Sequence, residues 1–200
     1  MQTEQWLTET ELKGHVVTLI PLRRSHANDL LEAASDGELW NLWFTSVPTD
    51  QTVESYIEFA LSEQKVGRSL PFVVVDNLSQ KVIGTTRYCN ADTKNKRVEI
   101  GHTWYAKRCQ KTAVNTECKQ LLLAHAFESL SAIAVEFRTH WHNQASRAAI
   151  TRLGAKQDGV LRNHQQMADG SYRDTVVFSI INNEWLSVKA NLKHKLTRYR

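Results

Sequence analysis

Apolar and polar positions along this chain follow two rhythms, and the changes of rhythm mark out its elements. Residues 16–20 are a short β-branched run that stops at Pro21 and predicts a strand. Leu30, Leu31 and Ala34 then recur at helical spacing, with Ser25 as the expected N-cap. A short helix is expected over 38–42, followed by the aromatic cluster Trp40, Trp43 and Phe44 and the turn-like stretch VPTD. From Asp50 or Thr52 to about Val66, Val53, Tyr56, Ile57, Ala60 and Leu61 share one side of a longer helix.

Beyond that helix the rhythm becomes β. Residues 72–75 are a continuous apolar run, as in a strand covered on both faces. The turn at 76–80 leads into a returning strand over 81–90, with Gly84 as a candidate bulge. Residues 97–105 alternate, setting Val98, Ile100 and His102 or Trp104 against Glu99, Gly101 and Thr103, which predicts a third antiparallel strand. Val114, Cys118, Leu121, Leu122 and His125 line one side of a long helix that ends near Leu130. A strand over 135–141 precedes a helix capped by Asn143 and stopped by Gly154. Strands over 160–166 and 172–181 form a hairpin around the turn at 168–171. A last helix starts at Asn183, with Trp185, Val188, Leu192 and Leu196 along one stripe. The predicted order is β–α–α–β–β–β–α–β–α–β–β–α. That is a mixed α/β domain with a largely antiparallel sheet and one central β–α–β unit.

Composition narrows the class. At 200 residues, 42% hydrophobic and 23% charged, the chain suits one globular domain with a sizeable core. No apolar run approaches the length of a membrane span, and the N-terminal residues are acidic rather than signal-like. The cytoplasm is the expected location. Cys89, Cys109 and Cys118 contain no Cys-x-x-Cys pair, which argues against a disulfide framework or a cysteine zinc site. The net charge of +4 is concentrated at Lys189, Lys193, Lys195, Arg198 and Arg200, with no acid among them. Without these five the chain is close to neutral, so basicity belongs to a helix end and argues against nucleic acid as the main partner.

Chemistry concentrates in the segment from Arg97 to Phe127, a strand, a short loop and a long helix. The start of a helix offers N–H groups without intrahelical partners and the positive end of its dipole, which suits a phosphate. Arg108 and Lys111 add positive charge there. A second piece, Asn143-Gln144-Ala145-Ser146-Arg147, reads by itself as a capped amphipathic helix. Glu99 lies in an otherwise apolar alternation, where burial would raise its pKa.

The two pieces, in this order and at this separation, resemble the GCN5-related N-acetyltransferase (GNAT) superfamily, and within it the ribosomal-protein N-acetyltransferase-like (RimJ/RimL-like) group. The likeness runs through LKGHVVTLIPL, FVVVDNLSQKVIGTTRY, VEIGHTWY, QKTAVNTECKQLLLAHAFE and NQASRAAITRLGAKQDGVLRNH. It implies the acyl-CoA N-acyltransferase fold, a mostly antiparallel sheet of six to seven strands flanked by helices. Residues 1–11 would then be an N-terminal extension, and 182–200 a C-terminal basic helix. It also implies transfer of an acetyl group from acetyl-CoA to a primary amine, small-molecule or peptide, by direct attack in a ternary complex. A homodimer is implied as well.

By the same resemblance Gln110, Lys111, Thr112, Ala113, Val114, Asn115 and Thr116 would hold the diphosphate of the cofactor. Thr103, Trp104 and Tyr105 would line its arm, Asn143 would hydrogen-bond it, and Ser146 would both contact the cofactor and be the general acid. Glu99 would be the base, and Trp43 and Phe44, with Glu99, would meet the acceptor. Ala113 and Asn115 stand where the family pattern has glycine and glycine or alanine. That departure leaves open a non-catalytic acyl-CoA-binding module on the same fold.

Overall fold

The computed structural model describes residues 6–167 and 169–199. The first residues of the expected extension, Ala168 of the hairpin turn and Arg200 of the basic end lie outside them. Eight strands form one sheet: β1 (Leu12–Lys13), β2 (Val17–Pro21), β3 (Leu70–Asp76), β4 (Val82–Asp92), β5 (Arg97–Tyr105), β6 (Ala134–His140), β7 (Lys156–Gln166) and β8 (Tyr172–Ile181). Their spatial order is β1-β2-β3-β4-β5-β6-β8-β7, antiparallel throughout except for β5 against β6. The expectation of six or seven strands falls short because β1, two residues long, carries no readable rhythm of its own.

Helices α1 (Ala27–Ser35) and α2 (Val53–Lys65) pack against one face of the sheet, around Leu22, Leu30, Val53, Ile57, Ala60 and Val73. Helix α3 (Ala113–Ala124), continued by a π-turn over His125–Ser129, covers the other face with α5 (Trp185–Thr197). Helix α4 (Gln144–Leu153) ends at Gly154, whose φ of 108° is the left-handed conformation expected of a C-terminal glycine. Ser25 does not cap α1. It lies within a 3-10 turn, Arg24–His26, and the His26 Nδ1 accepts the Arg23 N–H instead.

Two polar anchors hold α3 in place. The buried Glu117 carboxylate accepts the backbone N–H groups of His15, Val16 and Val17 at 2.7 to 3.0 Å, tying the helix to the β1–β2 turn. Arg152 of α4 donates to Thr116 Oγ1 at 2.9 Å. The basic end of the chain packs on this layer too: Trp185 stacks on Phe127 with ring centroids 5.4 Å apart, and Lys189 pairs with Glu128. Among the described residues no helix is long and apolar enough to cross a membrane.

Candidate active site

The central parallel pair is short. β5 and β6 are in register only at Arg97↔Ala134, Val98↔Val135 and Glu99↔Glu136. β5 then runs on to Tyr105 paired with β4 alone, while β6 runs on to His140 paired with β8. The two strands splay apart beyond Glu99, and the backbone edge of each that faces the gap has no strand partner. Unpaired backbone polar groups need other partners, so this gap is a place for a ligand with hydrogen-bonding groups along its length.

A bulge lies just beyond the last β5–β6 pair. Between Gly101↔Arg87 and Trp104↔Thr85, β5 carries one residue more than β4, and His102 takes φ of 50°. The extra residue reverses the alternation read from the sequence. Thr103 joins Val98 and Ile100 on the α3 side, where its Oγ1 accepts the Lys119 ammonium. Trp104 joins Glu99 on the α1–α2 side, where its Nε1 donates to the Tyr56 hydroxyl. Tyr105 is buried in the core. The side chains of Thr103, Trp104 and Tyr105 are therefore engaged by the protein, and backbone groups are what this stretch offers a ligand.

The loop into α3 is formed without its glycines. Lys111, not Ala113, holds the left-handed conformation, with φ of 62°. Thr112 is the N-cap: its Oγ1 accepts from the Val114 N–H and donates to the Cys109 carbonyl. Ala113, Val114, Asn115 and Thr116 are already helical, so alanine and asparagine in place of glycine impose no backbone strain. Gln110 braces the loop by donating to the Tyr105 carbonyl at 3.0 Å. Arg108 is taken by Asp36 at 2.7 Å, whereas Lys111 has no ion pair among the described residues.

At the start of α4 the Asn143 side-chain oxygen accepts the Ser146 N–H at 3.0 Å, so capping uses the oxygen and leaves the amide NH2 available. The Ser146 hydroxyl is half-buried and makes no hydrogen bond among the described residues.

Glu99 sits at the apex of the splay and is 8% exposed. Its Oε2 accepts from Asn90 Nδ2 at 2.8 Å, and Arg138 Nε lies 3.5 Å away. It pairs with neither Arg97, which binds Glu136 at 2.6 Å, nor Arg87. Burial raises its carboxyl above the ordinary range, against the pull of Asn90 and Arg138. The ring of His102, in the bulge, makes no hydrogen bond among the described residues. The surrounding protein and then Arg87 and Arg173 lower its pKa, although solvent reaches the ring.

The aromatic stretch divides. Trp40 packs beside Ala34, Leu39 and Val47 and edges a surface depression with Leu31, Ser35, Thr49, Asp50 and Gln51. Trp43 and Phe44 reach the end of β6, where Trp43 stands edge-on to His140 at 4.9 Å and Phe44 lies 6.4 Å from it. Trp141 turns away under Arg147, whose guanidinium carbon lies 4.3 Å from the ring centroid. The three thiols are free, and burial raises the pKa of each.

Two buried cations were not singled out by the sequence. Lys119 Nζ, on α3, donates to Thr103 Oγ1 at 2.6 Å and to Thr86 Oγ1 at 3.2 Å, and burial pushes its amine down to about 8. A polar residue among the apolar positions of α3 was the available signal. Arg87, on β4, is 1% exposed. Its flank gave no signal, since a strand arginine usually points to solvent.

Residues 17–156 match the acetyltransferase (GNAT) domain. Over 96 residues the chain is 31% identical to "Putative ribosomal N-acetyltransferase YdaF" of Bacillus subtilis, a match covering 48% of this chain and 51% of that one. The chain therefore spans about half the length of that relative. A GCN5-related N-acetyltransferase from Brucella melitensis superposes with a TM-score of 0.84 at 28% identity, covering 94% of this chain and 86% of the other. RimJ of Mycobacterium smegmatis, solved in complex with CoA-disulfide, superposes with a TM-score of 0.76 at 23% identity, covering 94% and 93%. With a splayed central strand pair, a capped loop–helix beside it and a domain match over most of its length, this chain belongs to the GNAT family of acetyltransferases.

Proposed function

We propose that this chain transfers the acetyl group of acetyl-CoA to a primary amine of a small molecule or a protein N-terminus, by direct attack with both substrates bound. The observation that carries this reading is the splay beyond Glu99, which leaves a backbone edge for a pantetheine arm beside a helix start suited to a diphosphate. The CoA complex of RimJ on the same fold supports the choice of cofactor.

The residues present fit such a group. The N–H groups at the start of α3, with Lys111, would hold the diphosphate. The backbone of Thr103, Trp104 and Tyr105 and the Asn143 amide would hold the arm. Acetyl-CoA supplies an activated acyl carbon and a thiolate leaving group.

The amine must lose a proton to attack, and Glu99 takes it, through a water, because its raised pKa makes it a stronger base than an exposed carboxylate. The free Ser146 hydroxyl gives a proton to the departing sulfur. Trp43 and Phe44 wall the acceptor side.

A thiol-release assay with acetyl-CoA and a panel of amines tests the reading. Ser146→Ala should lower turnover by about 100-fold and leave acetyl-CoA affinity unchanged. Unchanged turnover would remove Ser146 as the acid. Tight CoA binding without turnover on any amine would make the chain a binding module.

A further inference from the structure

The face of the sheet under α1 and α2 holds more cations than carboxylates can answer. Arg87, Glu99, Arg138, His140 and Arg173 share it, because Arg87 faces Gly101 in register, Glu99 faces Cys89, and His140 faces Thr175 two residues from Arg173. Glu136 is already bound by Arg97 and Arg138 at 2.6 and 3.0 Å. Glu99 is held by Asn90 and lies beside Arg138. Arg173 donates to the Thr175 hydroxyl and forms no ion pair among the described residues.

Arg87 is the extreme case. Its Nε and Nη2 are buried with no hydrogen-bond partner among the described residues. It has no carboxylate within ion-pair distance among the described residues. Its guanidinium carbon lies 5.2 Å from the Tyr56 ring centroid and 6.0 Å from that of Phe59. Ring faces help a guanidinium but leave its N–H donors bare, and bare buried donors on a charged group are costly.

The position of this orphan matters. Gly101, opposite Arg87, is past the last β5–β6 pair and beside the bulge. A Cβ at Gly101 would stand 3.0 Å from Glu99 Oε1 and 3.1 Å from Cys89 Sγ, so the glycine keeps the space before the carboxylate clear. Arg87 and Glu99 differ by two positions along the paired strands, roughly 7 Å of β-structure. A group on Glu99 and a group on Arg87 can thus belong to one small molecule.

Resting on the acetyl-transfer reading, we propose that Arg87 receives an anionic group of the acceptor, which is then an amine carrying a carboxylate or a phosphate a few bonds from the nitrogen. Glu99 faces the amine, and the guanidinium donors left bare by the fold pair with the anion, with Arg173 adding to the positive field. A bidentate guanidinium–oxyanion pair in a desolvated site discriminates strongly against a neutral analogue, since the neutral ligand leaves the same donors unmet.

Matched acceptors test this: amino acids against their carboxamides, and ethanolamine phosphate against ethanolamine, each with acetyl-CoA. The anionic member of at least one pair should be preferred at least tenfold in kcat/KM, chiefly through KM, and the pair that shows it tells carboxylate from phosphate. Arg87→Met should abolish the preference while leaving the Tm equal or higher, and Arg87→Lys should restore part of it. Equal use of both members by the wild type, or a preference that survives Arg87→Met, overturns the proposal. So does a lower Tm for Arg87→Met with an unaltered preference.

A thermal shift keeps the two readings separate. The preferred anionic amine should raise the Tm of the wild-type protein and not of Arg87→Met, whether or not acetyl transfer occurs. Turnover of neutral amines alone would keep the acetyltransferase and discard the anion site.

Discussion

The two faces of β5 each bury a cation with no carboxylate against it among the described residues, and the fold treats them differently. On the α3 face, Lys119 donates to two threonine hydroxyls that also bond each other at 2.7 Å. On the α1–α2 face, Arg87 has two buried nitrogens with no hydrogen-bond partner among the described residues. The first network is closed within the protein, and it fixes Thr103 immediately after the bulge. The second is open, and it lies beside the raised carboxyl of Glu99. On the proposed reading, the cofactor side has its cap, its brace and its anchor in place after folding, whereas the acceptor side waits for groups that the described residues do not supply. Preorganisation of this kind suits a cofactor common to a family, and open charges suit an acceptor that differs between its members.

The largest expected effect lies on the open side. Glu99→Gln should lower kcat/KM by on the order of 100-fold or more if the carboxylate takes the amine's proton. The pH profile carries the sharper signature. The carboxyl is raised by burial and works only when ionised, so wild-type activity should climb with pH through a value above the ordinary carboxylate range. That limb should be missing from Glu99→Gln. Stability moves the other way: a folded pKa above the unfolded one means that wild-type stability falls as pH rises through that window, and the glutamine variant should not show the fall. A variant with normal turnover and an unaltered acidic limb would place the base elsewhere and weaken the contrast between the faces.

A smaller effect is expected on the closed side. Lys119→Met removes a buried amine whose pKa is pushed down to about 8, so the fold disfavours its charge. Between about 8 and the ordinary lysine value the unfolded chain holds the proton more tightly, and wild-type stability should rise with pH across that window. The methionine variant should lack this rise and should match or exceed the wild-type Tm at pH 7. Its turnover should fall about tenfold, because Thr103 loses the donor that fixes β5 after the bulge. A large loss of Tm at unchanged kcat would make Lys119 a packing residue with no part in positioning.

Most elements of this architecture can be read from the sequence, because they rest on local rules. The strands at Arg97–Tyr105 and Tyr172–Ile181 and the helix Gln144–Leu153 with its Asn143 cap all follow from periodicity and punctuation. The site is less legible. The bulge puts its positive φ on His102 and not on the adjacent Gly101, so the sequence does not place it, yet it decides that Trp104 and not Thr103 shares a face with Glu99. The loop into α3 departs from its pattern at Ala113 and Asn115, but the conformational demand falls on Lys111. Arg87 leaves no mark in a one-dimensional reading and Lys119 only a polar residue among apolar positions, since burial of a charge is a property of what other elements bring over it. Where two distant segments must meet, as in the approach of Trp43 to His140, the sequence supplies the aromatic residue and not its neighbour.

The smallest expected effect concerns that loop. Lys111 pays for its left-handed φ of 62° with about 1 kcal/mol, which glycine would remove. Glycine also loosens the unfolded chain by a comparable 0.4 to roughly 1 kcal/mol, so Lys111→Gly should change stability by no more than about 1 kcal/mol. Because Thr112 and Gln110 already hold the backbone, what the variant loses at the cofactor is charge. CoA affinity should fall about three- to tenfold at low salt, and the gap to wild type should close as ionic strength rises. Lys111→Asn, which tolerates the same φ without the charge, should behave alike. A loss that persists at high salt would mean that the loop is not set by its cap, and the cofactor face would then be as unfinished as the acceptor face.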